Sequence, residues 1–133
     1  MKTKPCLIHA DVQKILAAAE AEATKHSWAV VIAVSDDGGH LMGLAKLDGA
    51  TPGNVDIAIG KGRTAAMTRR PSKGWEERIA AGRIGMLSLG FTAVQGGLPI
   101  MVLGECVGAV GVSGVQSHED EQIAQAGIDA LGA

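Results

Sequence analysis

Aromatic side chains are nearly absent. The 133 residues hold Trp28, Trp75, Phe91 and no tyrosine. Stacking platforms for single-stranded nucleic acid need more rings than that, so base recognition is excluded as a main role. Cysteine is scarce too. Cys6 and Cys106 form no spacing motif, which fits a reducing cytosol and predicts a cytoplasmic protein. No run approaches eighteen apolar residues, and residues 1–10 lack the apolar core of a signal peptide. A membrane role is therefore not expected. Net charge is only -2, so no global field points to a polyanion or a lipid surface.

Glycine, by contrast, is abundant, with 19 residues, and 47% of the chain is hydrophobic. Residues 1–133 are read as one globular domain with a core of Ala, Val, Ile and Gly. Such a core packs elements closely but buries little area per residue. Oligomerisation is expected to supply the rest, in a homo-oligomer of tetramer to octamer size.

The most ordered signal is Gln95–Gly114 followed by Val115–Glu121. Leu98–Leu103 and Cys106–Ser113 read as a hairpin, with Gly104-Glu105 as a type II′ turn. Gly108 and Gly111 lie three apart in the second strand, so they point to opposite faces. Each marks either tight packing or a ligand against bare backbone. Asp11–Lys25 has helical periodicity, with Asp11 as N-cap and His9 just before it. Trp28–Ser35 is a strand apolar on both faces. Asp36–Gly39 turns the chain into a return strand, His40–Leu47, in which His40, Met42, Leu44 and Lys46 share a face.

Asn54 caps a helix that runs to about Arg69, and Ser72 caps a shorter one. Gly60 and Gly62 inside the longer helix each cost about 1 kcal/mol relative to alanine, so packing or a ligand must offset them. Arg83–Val94 is read as loop and a short strand. Ser117–Asp120 fits a capping box opening the last helix. The Ser113-Gly114 turn is rejected as a phosphate cradle, because Glu119, Asp120 and Glu121 occupy the positive end of that helix.

Between Lys61 and Arg83 stand seven cations against two carboxylates, more than half of the chain's twelve Lys and Arg. They form either a solvated basic face or a site for a small anionic organic molecule. No nucleophile elbow is present around Ser113, and Cys106 reads as buried and inert. No metal-ligand set is placed by the spacing; His118 and Glu121 are i, i+3 without a third ligand.

Several segments together resemble the GlcG/HbpS-like family, also described as haem-degrading-like or domain of unknown function 336, which includes the PduO C-terminal domain. They are Asp37–Leu41, Lys46–Ala50, Ala58–Ala66, Arg70–Ser72, Gly96–Ile100, Val107–Gly114 and Asp120–Gly127. The resemblance implies a profilin-like α/β (α+β) fold, with about five antiparallel strands flanked by helices, in a symmetric oligomer. Some members of that family bind haem or are thought to degrade it, and others accompany catabolic pathways. Two functions follow as expectations. The first is a cofactor-free enzyme, a tautomerase or hydrolytic deaminase, acting on a small unsaturated acid such as a muconate-like intermediate of aromatic degradation. In it, His40, Asp48 and Lys61 would shuttle protons and Thr64 would orient water. Arg63 and Arg83 would hold carboxylates, with Gly97, Gly111 and Ser113 lining the ligand. The second is a haem-binding or haem-degrading protein, with His9, His40 or His118 as axial ligand. A non-catalytic scaffold or chaperone of a catabolic operon is the remaining alternative.

Overall fold

The computed structural model describes residues 1–132. Its elements in chain order are helix α1 (His9–Lys25), strands β1 (Val31–Asp36) and β2 (Leu41–Lys46), and helices α2 (Asn54–Thr68) and α3 (Lys73–Ala80). A 3-10 helix, η1 (Ile84–Leu89), follows, then β3 (Gly97–Val102), β4 (Glu105–Ser113) and helix α4 (Ser117–Asp129). The strands form one antiparallel sheet in the order β2-β1-β4-β3. Among the described residues there are four strands rather than five. The expected strand within Arg83–Val94 is absent, since Ile84–Leu89 winds as a 3-10 helix instead. No helix among the described residues is long and apolar enough to cross a membrane.

The sheet separates two layers. On one side, α1 and α4 cover the main core: Val12, Ile15 and Ala19 pack with Val30, Ile32, Val34, Val110, Val112 and Ile123. On the other side, α2 covers Val31, Ala33 and Ala109 with Ala58, Ala65 and Ala66. Both faces of β1 are buried, as its two-sided apolar pattern predicts.

Glycine sets the distance between α2 and the sheet. A Cβ on Gly111 would collide with the Ala58 carbonyl and the Gly62 backbone, and one on Gly97 would collide with the Lys61 carbonyl. A Cβ on Gly62 would lie 3.1 Å from the Gly111 amide nitrogen. Helix and strands thus meet backbone to backbone, an approach that only glycine permits. Gly108 faces the opposite way, toward Leu7, as the three-residue offset from Gly111 requires.

Local details differ from the sequence reading. The β3–β4 turn is Leu103-Gly104, both with positive φ (52° and 78°), and Glu105 already pairs with Val102. Two positive φ values make a type I′ rather than a II′ turn. A register shift between Val34 and Ser35 breaks the alternation of β2. Met42 therefore joins the α1 side while Leu44 joins the α2 side, and they do not share a face. The caps move as well. Asp11 is the third residue of α1 and accepts from the Ile8 amide, so the helix starts at His9. Helix α4 is capped from Gln116 with Glu119 in the reciprocal position, which frees Asp120 for the interior.

Candidate functional site

Lys61 comes from the middle of α2 and is only 2% exposed. Its ammonium donates to the Val112 carbonyl at 3.0 Å and to the Asp120 carboxylate at 3.1 Å. Asp120 also accepts from the Val115 amide at 3.1 Å. Burial pushes the Asp120 carboxyl above its ordinary range, against the opposing pull of Lys61 and the Val115 amide. The pair ties α2 to the start of α4 past the bare backbone of Gly96. Expected as a proton shuttle, Lys61 stands inside the fold, where an unpaired charge would be costly.

Thr64 is buried one turn later. Its hydroxyl accepts from the Thr92 amide at 2.9 Å and fixes the return from η1 to the sheet. Gly60 receives Thr92 against its bare backbone, so tight packing offsets that glycine. Ser113 is buried and donates to the Asn54 side chain at 2.6 Å. Asn54 thus bridges to β4 instead of capping α2, while donating to Thr51. Ser72 likewise turns from its helix to β3, donating to the Val94 carbonyl at 2.6 Å and accepting from the Gly97 amide at 2.9 Å. Gly97 and Gly111, expected to line a ligand, are covered by α2 itself. These positions hold the fold together.

The seven clustered cations do not converge. Lys61 points inward. Arg69 donates to the Asp37 and Ala66 carbonyls, Lys73 pairs with Glu77, and Arg78 lies 4.6 Å above the Trp75 ring. Arg83 is exposed beside η1. Asp48 lies elsewhere, in a cleft of about 350 Å³ with Glu20 and Trp28. His9 and His118 are exposed in the first turns of α1 and α4. Another cleft, of about 200 Å³, lies between the N-terminal segment, Val107 and Leu131. Neither cleft contains a histidine.

Two predicted site residues lie against adjacent glycines of one turn, His40 on Gly38 and Arg63 on Gly39. The β1–β2 turn is built on Asp36, whose side chain accepts from the Gly38 and His40 amides, each at 2.9 Å. The His40 ring lies across Gly38, with Nδ1 3.1 and 3.2 Å from the two Asp36 oxygens. Gly39, at φ +82°, provides bare backbone over which the Arg63 stem and Met67 pass. Arg69, itself left-handed at φ 57°, clamps the turn to the end of α2 through Asp37. Burial pulls the Asp36 carboxyl upward, but the His40 and Gly38 amides and the His40 ring outweigh it and hold it below the ordinary range. The imidazole is 82% exposed and oriented by a carboxylate, an arrangement able to ligate a metal centre or move a proton. Asp36 was missed in the sequence. The signal was available, as an aspartate four residues before a histidine across a Gly-Gly turn.

Exposed apolar side chains also occur on α2 and in the segment that follows it. Neither α3 nor η1 contains a buried residue. Ile84 is 71% and Leu87 68% exposed, and Met67 also faces outward. Trp75 is tied back by its indole N–H to Thr68 at 3.2 Å and packs on Phe91.

The comparisons agree on ancestry. The protein GlcG of Escherichia coli is 45% identical over 114 residues, covering 85% of each chain. The crystal structure of ORFY from Klebsiella pneumoniae superposes with a TM-score of 0.92 at 28% identity, covering 100% of this chain and 95% of that one. A double mutant of HbpS from Streptomyces reticuli gives 0.90 at 30% identity, covering 100% and 92%. A family model described as "Haem degrading protein HbpS-like" matches residues 7–129, and the chain belongs to that family.

Proposed function

We propose that this protein binds haem on the α2 side of its sheet, with His40 as axial ligand. The observation that carries this reading is the exposed His40 imidazole, held by Asp36 and flanked by Arg63 and Met67 across Gly38-Gly39. The donor set fits the group. An imidazole nitrogen suits haem iron, a guanidinium suits a propionate, and Met67 offers apolar contact. The description of the family supports the same ligand. Bound haem would supply iron redox chemistry; the chain's own residues bind and orient it. The enzymatic reading has less support. Of its four expected catalytic residues, Lys61 and Thr64 are buried in structural bonds, and Asp48 lies in a cleft without His40.

The same reading includes a homo-oligomer of tetramer to octamer size. An open surface at His40 does not enclose a macrocycle, and the exposed Ile84, Leu87 and Leu89 need apolar cover. A second copy would provide both. Haemin titration followed by visible spectroscopy tests the ligand. A saturable Soret shift near one haem per chain is expected. It should be lost in His40→Ala, weakened about tenfold or more in Arg63→Ala, and retained in His9→Ala and His118→Ala. Retention in His40→Ala would overturn the assignment.

A further inference from the structure

The cleft of about 350 Å³ at the C-terminal end of α1 has no role in the haem reading. Its walls come from three places. Glu20 and Thr24 stand on the last two turns of α1, Trp28 leads into β1, and Leu47 and Asp48 follow β2. The turn after α1 sets the ring. Ser27 takes a left-handed φ of 58°, and its amide donates to the Thr24 carbonyl at 3.0 Å. The Trp28 amide donates back to the Ala23 carbonyl at 2.9 Å. This is a Schellman turn with serine where glycine is usual. His26 stacks on the Trp28 ring, with centroids 4.2 Å apart, and so holds the indole at the cleft wall.

The cleft carries charge of one sign. Two carboxylates line it, and no lysine, arginine or histidine does. Neither Glu20 nor Asp48 is in an ion pair among the described residues, whereas Glu22 is held by Lys25 and His26. The C-terminal end of α1 adds the negative pole of its dipole. Two exposed carboxylates on a flat surface would simply be solvated. Here they share a recess with an indole, and its volume lies in the range of small-molecule sites, about 300–1,000 Å³. Indole is the best cation–π partner among side chains, and Leu47 offers apolar contact to methylenes. We propose that this cleft binds a small organic ammonium ion through Trp28, Glu20 and Asp48. Haem carries carboxylates of its own and is repelled here, so the site is independent of the one proposed at His40.

Nitrogen-15 NMR tests this directly, because Trp28 and Trp75 give two separate indole resonances, assigned with Trp28→Phe. The full chain is titrated with putrescine, with choline and, as a neutral control, with butanol. Either amine should shift the Trp28 indole and the amides of Ser27 and Asp48 saturably, with a dissociation constant of about 1 mM. The Trp75 indole should stay in place, and butanol should produce no such shift. Glu20→Gln with Asp48→Asn should weaken amine binding about tenfold. Both positions are exposed, so the fold is expected to persist. Trp28→Phe, read at the Ser27 and Asp48 amides, should weaken it about threefold, since phenyl is the poorer partner. No saturable shift with either amine would overturn the proposal. So would equal shifts with butanol, or unchanged affinity in the double carboxylate variant.

Discussion

On the α1/α4 side of the sheet, Ile15, Ile32, Val110 and Ile123 interlock with no exposure to solvent. On the α2 side, alanines and glycines bring helix and strands together, while Met67 on α2 and Ile84, Leu87 and Leu89 in the segment beyond it remain exposed. The first layer is a filled apolar core in one chain, with clefts at its rim beside Leu7, Val107 and Leu131 and beside Trp28 and Leu47. The second is a thin layer whose outer surface carries His40 and Arg63, the groups proposed to bind. A sheet covered on both sides need not be equally closed on both, and the open side is where partners and ligands gain most from burial.

The contrast can be broken most severely at Gly111. Valine there would drive its side chain into the Ala58 carbonyl and the Gly62 backbone, so Gly111→Val should yield no stably folded protein by circular dichroism. Val112→Ala, on the closed side, should fold with a loss of about 1–3 kcal/mol. Similar mild effects would show that α2 does not lie on Gly111.

Next in size is the link between the layers. Lys61→Met leaves Asp120 buried and unpaired and should cost about 3–5 kcal/mol in urea unfolding. Lys61→Met with Asp120→Leu should recover most of that loss, because the pair is removed together. A double variant as unstable as the single would show that the pair specifies the α2–α4 junction beyond its charges. Activity loss in Lys61 variants would therefore report on folding first.

The smallest stability effect is expected on the open side. Ile15→Ala should cost about 2–5 kcal/mol, since its site is fully buried. Leu87→Ser should change unfolding by no more than about 0.5 kcal/mol in the separated chain. It should nevertheless lower the mass seen by light scattering at micromolar concentration. A monomeric wild type, or an unchanged mass in Leu87→Ser, would show that Leu87 is not at a contact between copies.

Much of this architecture was legible in the residues. Val12, Ile15, Leu16, Ala19 and Ala23 marked the stripe of α1, buried except for the partly covered Leu16, and the two-sided pattern of β1 marked a central strand. The glycines at 62 and 111 announced a close approach, but the pattern could not say whose. Helix backbone rather than ligand fills that space because the two glycines face each other across layers. The short strand expected within Arg83–Val94 is absent because Ile84–Leu89 winds as a 3-10 helix between Arg83 and the left-handed Gly90. Lys61 was misplaced for a plain reason: charge density along the chain says nothing about which lysine turns inward. His40 and Arg63 were named separately, and only the fold shows them lying against adjacent glycines, Gly38 and Gly39, of one turn.

The division between a closed side and a binding side can be tested by hydrogen–deuterium exchange with and without one equivalent of haemin per chain. Protection should rise in residues 36–42 and along 63–70, with α1 and α4 unchanged. Protection confined to α1 or α4, or to the cleft beside Glu20, Trp28 and Asp48, would contradict the account.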